Sequence, residues 1–410
     1  MPRKLLTGVI VCSNSNCMTP SRSQALFSRS FTLLCAAQFF GSSQHALLQP
    51  TFPLYIIALG GTPLQVGVVL ACFAVTSVVF RPLIGAWADR WSEPGVSISG
   101  LTLLSVAVLF CFIPLAEATM FANALRGLGW AAMSAAGYSM LALSAPPQRR
   151  GEASGYYSGV QASGTVLLPA VALWLIEQPF GGFRAVFALA VALAVIGASM
   201  SVLLARCMPK KVRHLQSADS APWWREIVNV VDRAIILASL LSFFSHVTFP
   251  GVASFLVLFA RDIGVDNVGW FYVASGATSI LSRPLLGRVS DSIGRGRALR
   301  ACFVLQALAL VLLAFASNLI DLIIAGVLYM VGLALSSSST LAIAMEQAQP
   351  ERRGRAMATF SVALPLSNGV GALLCGILVQ WVGFFWMYII AGAVAAAGLL
   401  LTVSNRARLK

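Results

Sequence analysis

Apolar runs long enough to cross a bilayer recur from one end of this chain to the other, and no other feature constrains its fold as strongly. A helix needs about 20 apolar residues to span hydrocarbon. In lipid, only helices and closed barrels satisfy their own backbone polar groups. Candidate spans fall near 31–58, 65–84, 96–115, 120–143, 156–176 and 184–205, then near 234–259, 267–286, 299–316, 320–344, 357–380 and 384–403. The strands of a membrane barrel alternate over segments of about ten residues; these runs are longer and uniformly apolar. Only 10% of the residues are charged, against about 25% in an average soluble domain. The sequence therefore predicts an all-α, multi-pass membrane protein whose main solvent is lipid.

The net charge of +14 follows the same logic. With the amino terminus inside, 25 of the 28 Lys and Arg fall in tails and loops of the inner side, leaving Arg126, Arg184 and Arg261. That is the positive-inside pattern, and it predicts cytoplasmic termini in a bacterial inner or plasma membrane. Nucleic-acid binding would need a basic face on a folded domain; here the charge is scattered over short loops. Eight cysteines show no metal-ligand spacing and stand mostly within spans, as small packing residues. Residues 1–17 read as an extension ahead of Met18.

An internal repeat sets the organisation. SVVFRPLIGAWAD at 77–89 recurs as SILSRPLLGRVSD at 279–291, an offset of 202, and PQRRG at 147–151 recurs as PERRG at 350–354, an offset of 203. Both pairs occupy matching places in the span map. The chain reads as a duplicated six-helix unit: a tail at 1–25, a first bundle at 26–206, a cytoplasmic linker at 207–231, a second bundle at 232–404 and a tail at 405–410. Trp223 and Trp224 in the linker suit either a short interfacial helix or an aromatic anchor before the seventh span.

These residues resemble the major facilitator transporters, whose loop after the second helix reads G-x-x-x-D-R/K-x-G-R/K-x-R/K. The first half has Gly85, Asp89 and Arg90, after which Trp91, Ser92, Glu93 and Pro94 depart from the pattern. The second half has Gly287, Asp291, Gly294, Arg295 and Arg297. The resemblance, covering roughly 26–404, implies twelve transmembrane helices in two pseudo-symmetric six-helix bundles, a substrate site near the midplane, and a latch role for this loop in alternating access. Physically, glycine permits close helix approach and the carboxylate can meet an arginine or a helix amino terminus. Topology alone would require only the basic residues.

Candidate substrate or coupling residues are the polar groups stranded in apolar helices. Arg126 is the one basic residue deep in a span, where an unpaired arginine costs at least about 2.5–3.5 kcal/mol; it stands in RGLGWAA, similar to the pattern the family places in its fourth helix. Gln38, Ser42, His45 and Gln49 share one face of the first span, and Ser239, Ser242 and His246 share one face of the seventh. The two histidines are one position apart under the 202-residue offset. They read equally as proton or substrate carriers and as interhelical hydrogen bonds. Tyr157 and Gln161, four apart in the fifth span, and Asn368 in the eleventh complete the set.

Absences narrow the function. No Asp or Glu stands clearly in the middle of a span, the fifth span lacks the adjacent Gly–Pro of drug antiporters, and there is neither a phosphate-cradling loop nor a paired set of catalytic carboxylates. The sequence reading is a monomeric, cofactor-free, metal-free transporter of a small solute, not an enzyme. It favours an exporter driven by protons over an importer of a small organic anion, and both over a multi-span membrane enzyme.

Overall fold

The computed structural model describes residues 27–81, 83–84, 87, 91–144, 149–179, 181–208, 235–347 and 353–406, and the described residues contain no strand. The first bundle comprises α1 (Arg29–Ala58), α2 (Pro63–Val79), α3 (Glu93–Leu109), α4 (Ala116–Ser144), α5 (Arg150–Glu177) and α6 (Gly182–Cys207). The second comprises α7, in three pieces (Ile236–His246, Phe249–Ala253 and Leu256–Asp262), α8 (Gly269–Ile293), α9 (Arg295–Ala314), α10 (Leu319–Gln347), and the run Arg353–Ser404. That run is divided into α11 and α12 by Gly383, whose φ of 81° and ψ of 174° are not helical. The fold is that of twelve transmembrane helices in two pseudo-symmetric bundles. The residue 1–25 tail, the linker body, and Gly85, Asp89 and Arg90 lie outside the described residues.

Local chemistry explains the boundaries. Thr62 and Gln65 form a reciprocal capping box with Pro63 in the first turn of α2. Gly294 joins α8 to α9 with a φ of 87°, a left-handed backbone that glycine alone adopts without penalty. At the matching place in the first bundle stands Ser92, with φ −170°, whose side chain caps α3 by accepting from Gly95 N at 3.1 Å. The departure of the first motif copy thus reflects a different way of starting the same helix.

The duplication is visible in contacts as well as sequence. Asn123 on α4 donates to the Val69 carbonyl on α2 at 2.7 Å, and the corresponding Gly326 on α10 closes on Phe271 of α8. Gly129 on α4 approaches the Gly100 carbonyl of α3, and its counterpart Gly332 on α10 approaches the Cys302 carbonyl of α9. Small residues let helix backbones approach closely where lipid supplies no hydrophobic drive.

The two bundles meet along α2 against α11 and along α5 against α8. A Cβ on Gly67 would lie 2.7 Å from the Ala372 carbonyl, and one on Gly376 would lie 2.7 Å from the Pro63 carbonyl. Gly276 makes a similar approach to Val166. Far from the chain termini, Leu54, Val66 and Leu173 of the first bundle share one apolar core with Phe255, Phe271 and Tyr388 of the second. Near the termini the cores are separate: Phe31, Val96 and Leu204 belong to one, Leu241, Leu299 and Ile343 to the other. There Gly155 and Gly159 of α5 face open space. The molecule is sealed at one end and split at the other.

Gly67→Leu should therefore destabilise the sealed end by about 1–3 kcal/mol, the usual cost of overpacking. Differential scanning of the purified protein would show a lower unfolding midpoint, with Gly67→Ala between the two.

Candidate functional site

The described helices differ in how uniformly apolar they are. Seven described segments meet a length-and-hydropathy standard for spanning, and α1, α4 and α8 are not among them. α1 and α4 carry buried Gln38, Ser42, Ser43, Gln44, Asn123 and Arg126. Such groups in lipid need internal partners.

Arg126 is only 2% exposed and is held entirely by neutral groups. Its Nη1 donates to Asn123 Oδ1 at 2.5 Å, and its Nη2 donates to Gln44 Oε1 at 3.4 Å and reaches His45 Nδ1 at 3.5 Å. The guanidinium carbon lies 5.0 Å from the Phe52 ring centre and 5.6 Å from that of Phe73, positions that favour cation–π attraction. Asn123 and Gln44 are positioned in turn, through the Val69 carbonyl and through the Leu104 carbonyl at 3.5 Å. Nε has no partner, and no carboxylate pairs with Arg126 among the described residues.

His45 is half-buried beside it. Its ring stacks on Phe73 with centres 5.0 Å apart and tilts against Trp130 at 4.6 Å. In the second bundle, His246 bonds through Nδ1 to its own-helix Ser242 carbonyl at 2.9 Å, while Nε2 meets Ser337 Oγ of α10 at 3.4 Å. At the 203-residue offset that relates α4 to α10, Arg126 corresponds to Tyr329, and Thr248 of α7 is its partner. Those two hydroxyls are hydrogen-bonded at 2.8 Å. The second bundle thus bridges α7 and α10 with neutral groups.

Deeper toward the split end, Gln161 of α5 donates to Gln38 Oε1 at 3.1 Å, and Gln38 donates to the Met133 carbonyl at 3.2 Å. The buried Tyr157 hydroxyl has no hydrogen bond, and its ring centre is 5.4 Å from that of Tyr138. Asn368 on α11 has an unpartnered Oδ1, and Gln49 is half-buried on the His45 stripe of α1. The structure therefore gathers Arg126 with His45, and Gln38 with Gln161 beside Tyr157. His246 and Asn368 belong to the other bundle.

Sequence reasoning missed Gln44, Asn123 and Gln306. Asn123 was detectable from its i, i+3 spacing to Arg126. Gln306 is fully buried on α9 and donates to Ser245 Oγ at 3.0 Å and to the Ser245 carbonyl at 3.2 Å.

The sequence model of the Major Facilitator Superfamily matches residues 34–266 and 235–409. The chain belongs to that superfamily. Multidrug resistance protein 1 of Bacillus subtilis is 23% identical over 386 residues, covering 92% of this chain and 96% of that one. The efflux pump PmrA of Streptococcus pneumoniae is 23% identical, covering 64% of this chain and 67% of that one. A crystal structure of a POT family transporter with a thioalcohol-conjugated peptide superposes with a TM-score of 0.77 at 13% identity, covering 93% and 97% of the two chains.

In this major facilitator protein the second copy of the motif sits at the split end. Gly287 and Asp291 fall in the last turns of α8, and Arg295, opening α9, forms an ion pair with Glu346 at the end of α10. Arg297 is exposed. The Arg295 pair stays within one bundle. Among the described residues, a hydrogen bond that crosses bundles here comes from Arg81, two residues beyond α2, whose Nη1 donates to the Ser361 carbonyl of α11 at 2.9 Å. A major facilitator protein so built is a membrane transporter of small molecules and not an enzyme.

Proposed function

We propose that this protein is a secondary active exporter of a small organic solute, driven by the proton gradient and working by alternating access as a monomer. Its termini face the cytoplasm of a bacterial cell, so the split end faces inward and the sealed end outward. The observation that carries this reading is the single apolar core shared by both bundles at one end against separate cores at the other. A rocking motion that exchanges those two arrangements exposes the polar interior to each side in turn. The efflux pump PmrA among the relatives supports the outward direction of this reading.

Inverted vesicles with an imposed pH gradient test it. Adding a transported solute should dissipate the gradient, and the probes are the permanent anion naphthalene-2-sulfonate and the permanent cation tetraphenylphosphonium. An importer on the same fold is the second reading, and right-side-out vesicles distinguish it by the sign of flux.

The orientation has its own check. Single cysteines near Gly182 and Asp262 should react with an impermeant thiol reagent from outside intact cells, and one at Gln216 should not. For the loop after α8, Asp291→Asn should slow transport more than it weakens solute binding, because it shifts the balance between the two open states. Transport at the unmodified rate would remove the latch role.

A further inference from the structure

The charge of the solute can be read from the asymmetry between the bundles, given the transporter reading above. Arg126 is a permanent cation buried at mid-depth and surrounded by neutral acceptors, with Nε unpartnered. Every Asp and Glu of the chain lies in a loop, in the linker or near a helix end. The matching place in the second bundle is the neutral Tyr329–Thr248 pair. Among the described residues, the fixed charge at this level therefore belongs to the first bundle, and it is positive. A buried charge without a counter-charge is electrostatically incomplete. An arriving anion completes it, and a cation meets like charge in a medium that screens poorly.

The surroundings add a shape. His45 stacks nearly parallel on Phe73, 29° between planes, and leans 32° from Trp130, and all three side chains are half-buried. Flat rings at this spacing accept another flat ring by offset stacking. We infer that the solute is a planar organic anion, its charged group taken by Arg126 and its ring laid against the His45–Phe73–Trp130 wall, with permanent cations rejected.

Equilibrium binding to the full chain in lipid nanodiscs tests this with three probes: naphthalene-2-sulfonate, its neutral analogue naphthalene-2-sulfonamide, and tetraphenylphosphonium. The sulfonate should bind at least about tenfold more tightly than the sulfonamide, the loss expected for one charge-assisted hydrogen bond, and the phosphonium should not bind. Arg126→Gln should erase the preference for the sulfonate. Because that variant also alters a buried network, the ranking on the unmodified protein decides. Equal binding of sulfonate and sulfonamide, tight binding of the phosphonium, or no binding of the sulfonate overturns the inference. If the sulfonate binds as stated but no pH gradient drives it, the anion site stands and the proton-driven exporter falls.

Discussion

Arg126→Ala is expected to reduce transport by about a hundredfold or more, the effect of losing charge-assisted contacts worth roughly 1.5–3 kcal/mol each. The guanidinium ties α4 to α1 through Gln44 and His45, and its removal leaves those acceptors and Asn123 Oδ1 buried without their donor. Expression should stay near normal, so that the lost transport reports the site and not the fold. Arg126→Lys separates two roles. Lysine keeps the charge but presents one ammonium where arginine reaches Asn123 and Gln44 with separate nitrogens. Full activity in Lys shows that charge alone matters; full activity in Ala makes the residue an anchor.

The second large effect concerns the histidines. Imidazole is the side chain whose ordinary charge change falls between pH 5 and 8, and His45 and His246 are the imidazoles of the membrane helices. His45→Gln or His246→Gln should reduce pH-driven transport to the uncoupled level while sparing solute exchange at equal pH on both sides. The geometry ranks them. Protonating His45 places a second positive charge 3.5 Å from an Arg126 nitrogen, so its state and the arrival of an anion are electrostatically tied. His246 is held by the Ser242 carbonyl and Ser337 within its own bundle, an arrangement equally suited to interhelical packing. A structural role predicts that both transport modes fall together with a lower unfolding midpoint. Normal pH-driven transport in the double variant moves the coupling site elsewhere.

Much of the fold was legible because burial in lipid leaves a hydropathy mark that survives without any knowledge of contacts. The duplicated SxxxRPLxGxxxD segment then supplied the two-bundle organisation. The breaks within α7 were not legible: Pro250 signals a disturbance, but three helical pieces depend on backbone bonds around Thr248 and Phe255. The site was legible in part. Arg126 announced itself by cost, and His45 by its stripe with Gln38 and Gln49. Gln44 lies off that stripe and turns to α3, so helical periodicity alone gave it no role. Phe52, Phe73 and Trp130 were indistinguishable from lipid-facing aromatics until α1, α2 and α4 were packed together.

Alternating access is tested most directly by paired distance measurements across the two bundles. Spin labels at Glu177 and Asp266 report the sealed end, and labels at Leu143 and Met345 report the split end; all four positions are exposed. Pulsed dipolar spectroscopy in lipid nanodiscs across pH 5 to 8 should show two populations that change reciprocally, the Glu177–Asp266 distance lengthening as the Leu143–Met345 distance shortens. Distances fixed under every condition, or lengthening together, would contradict a transporter that rocks between these two ends.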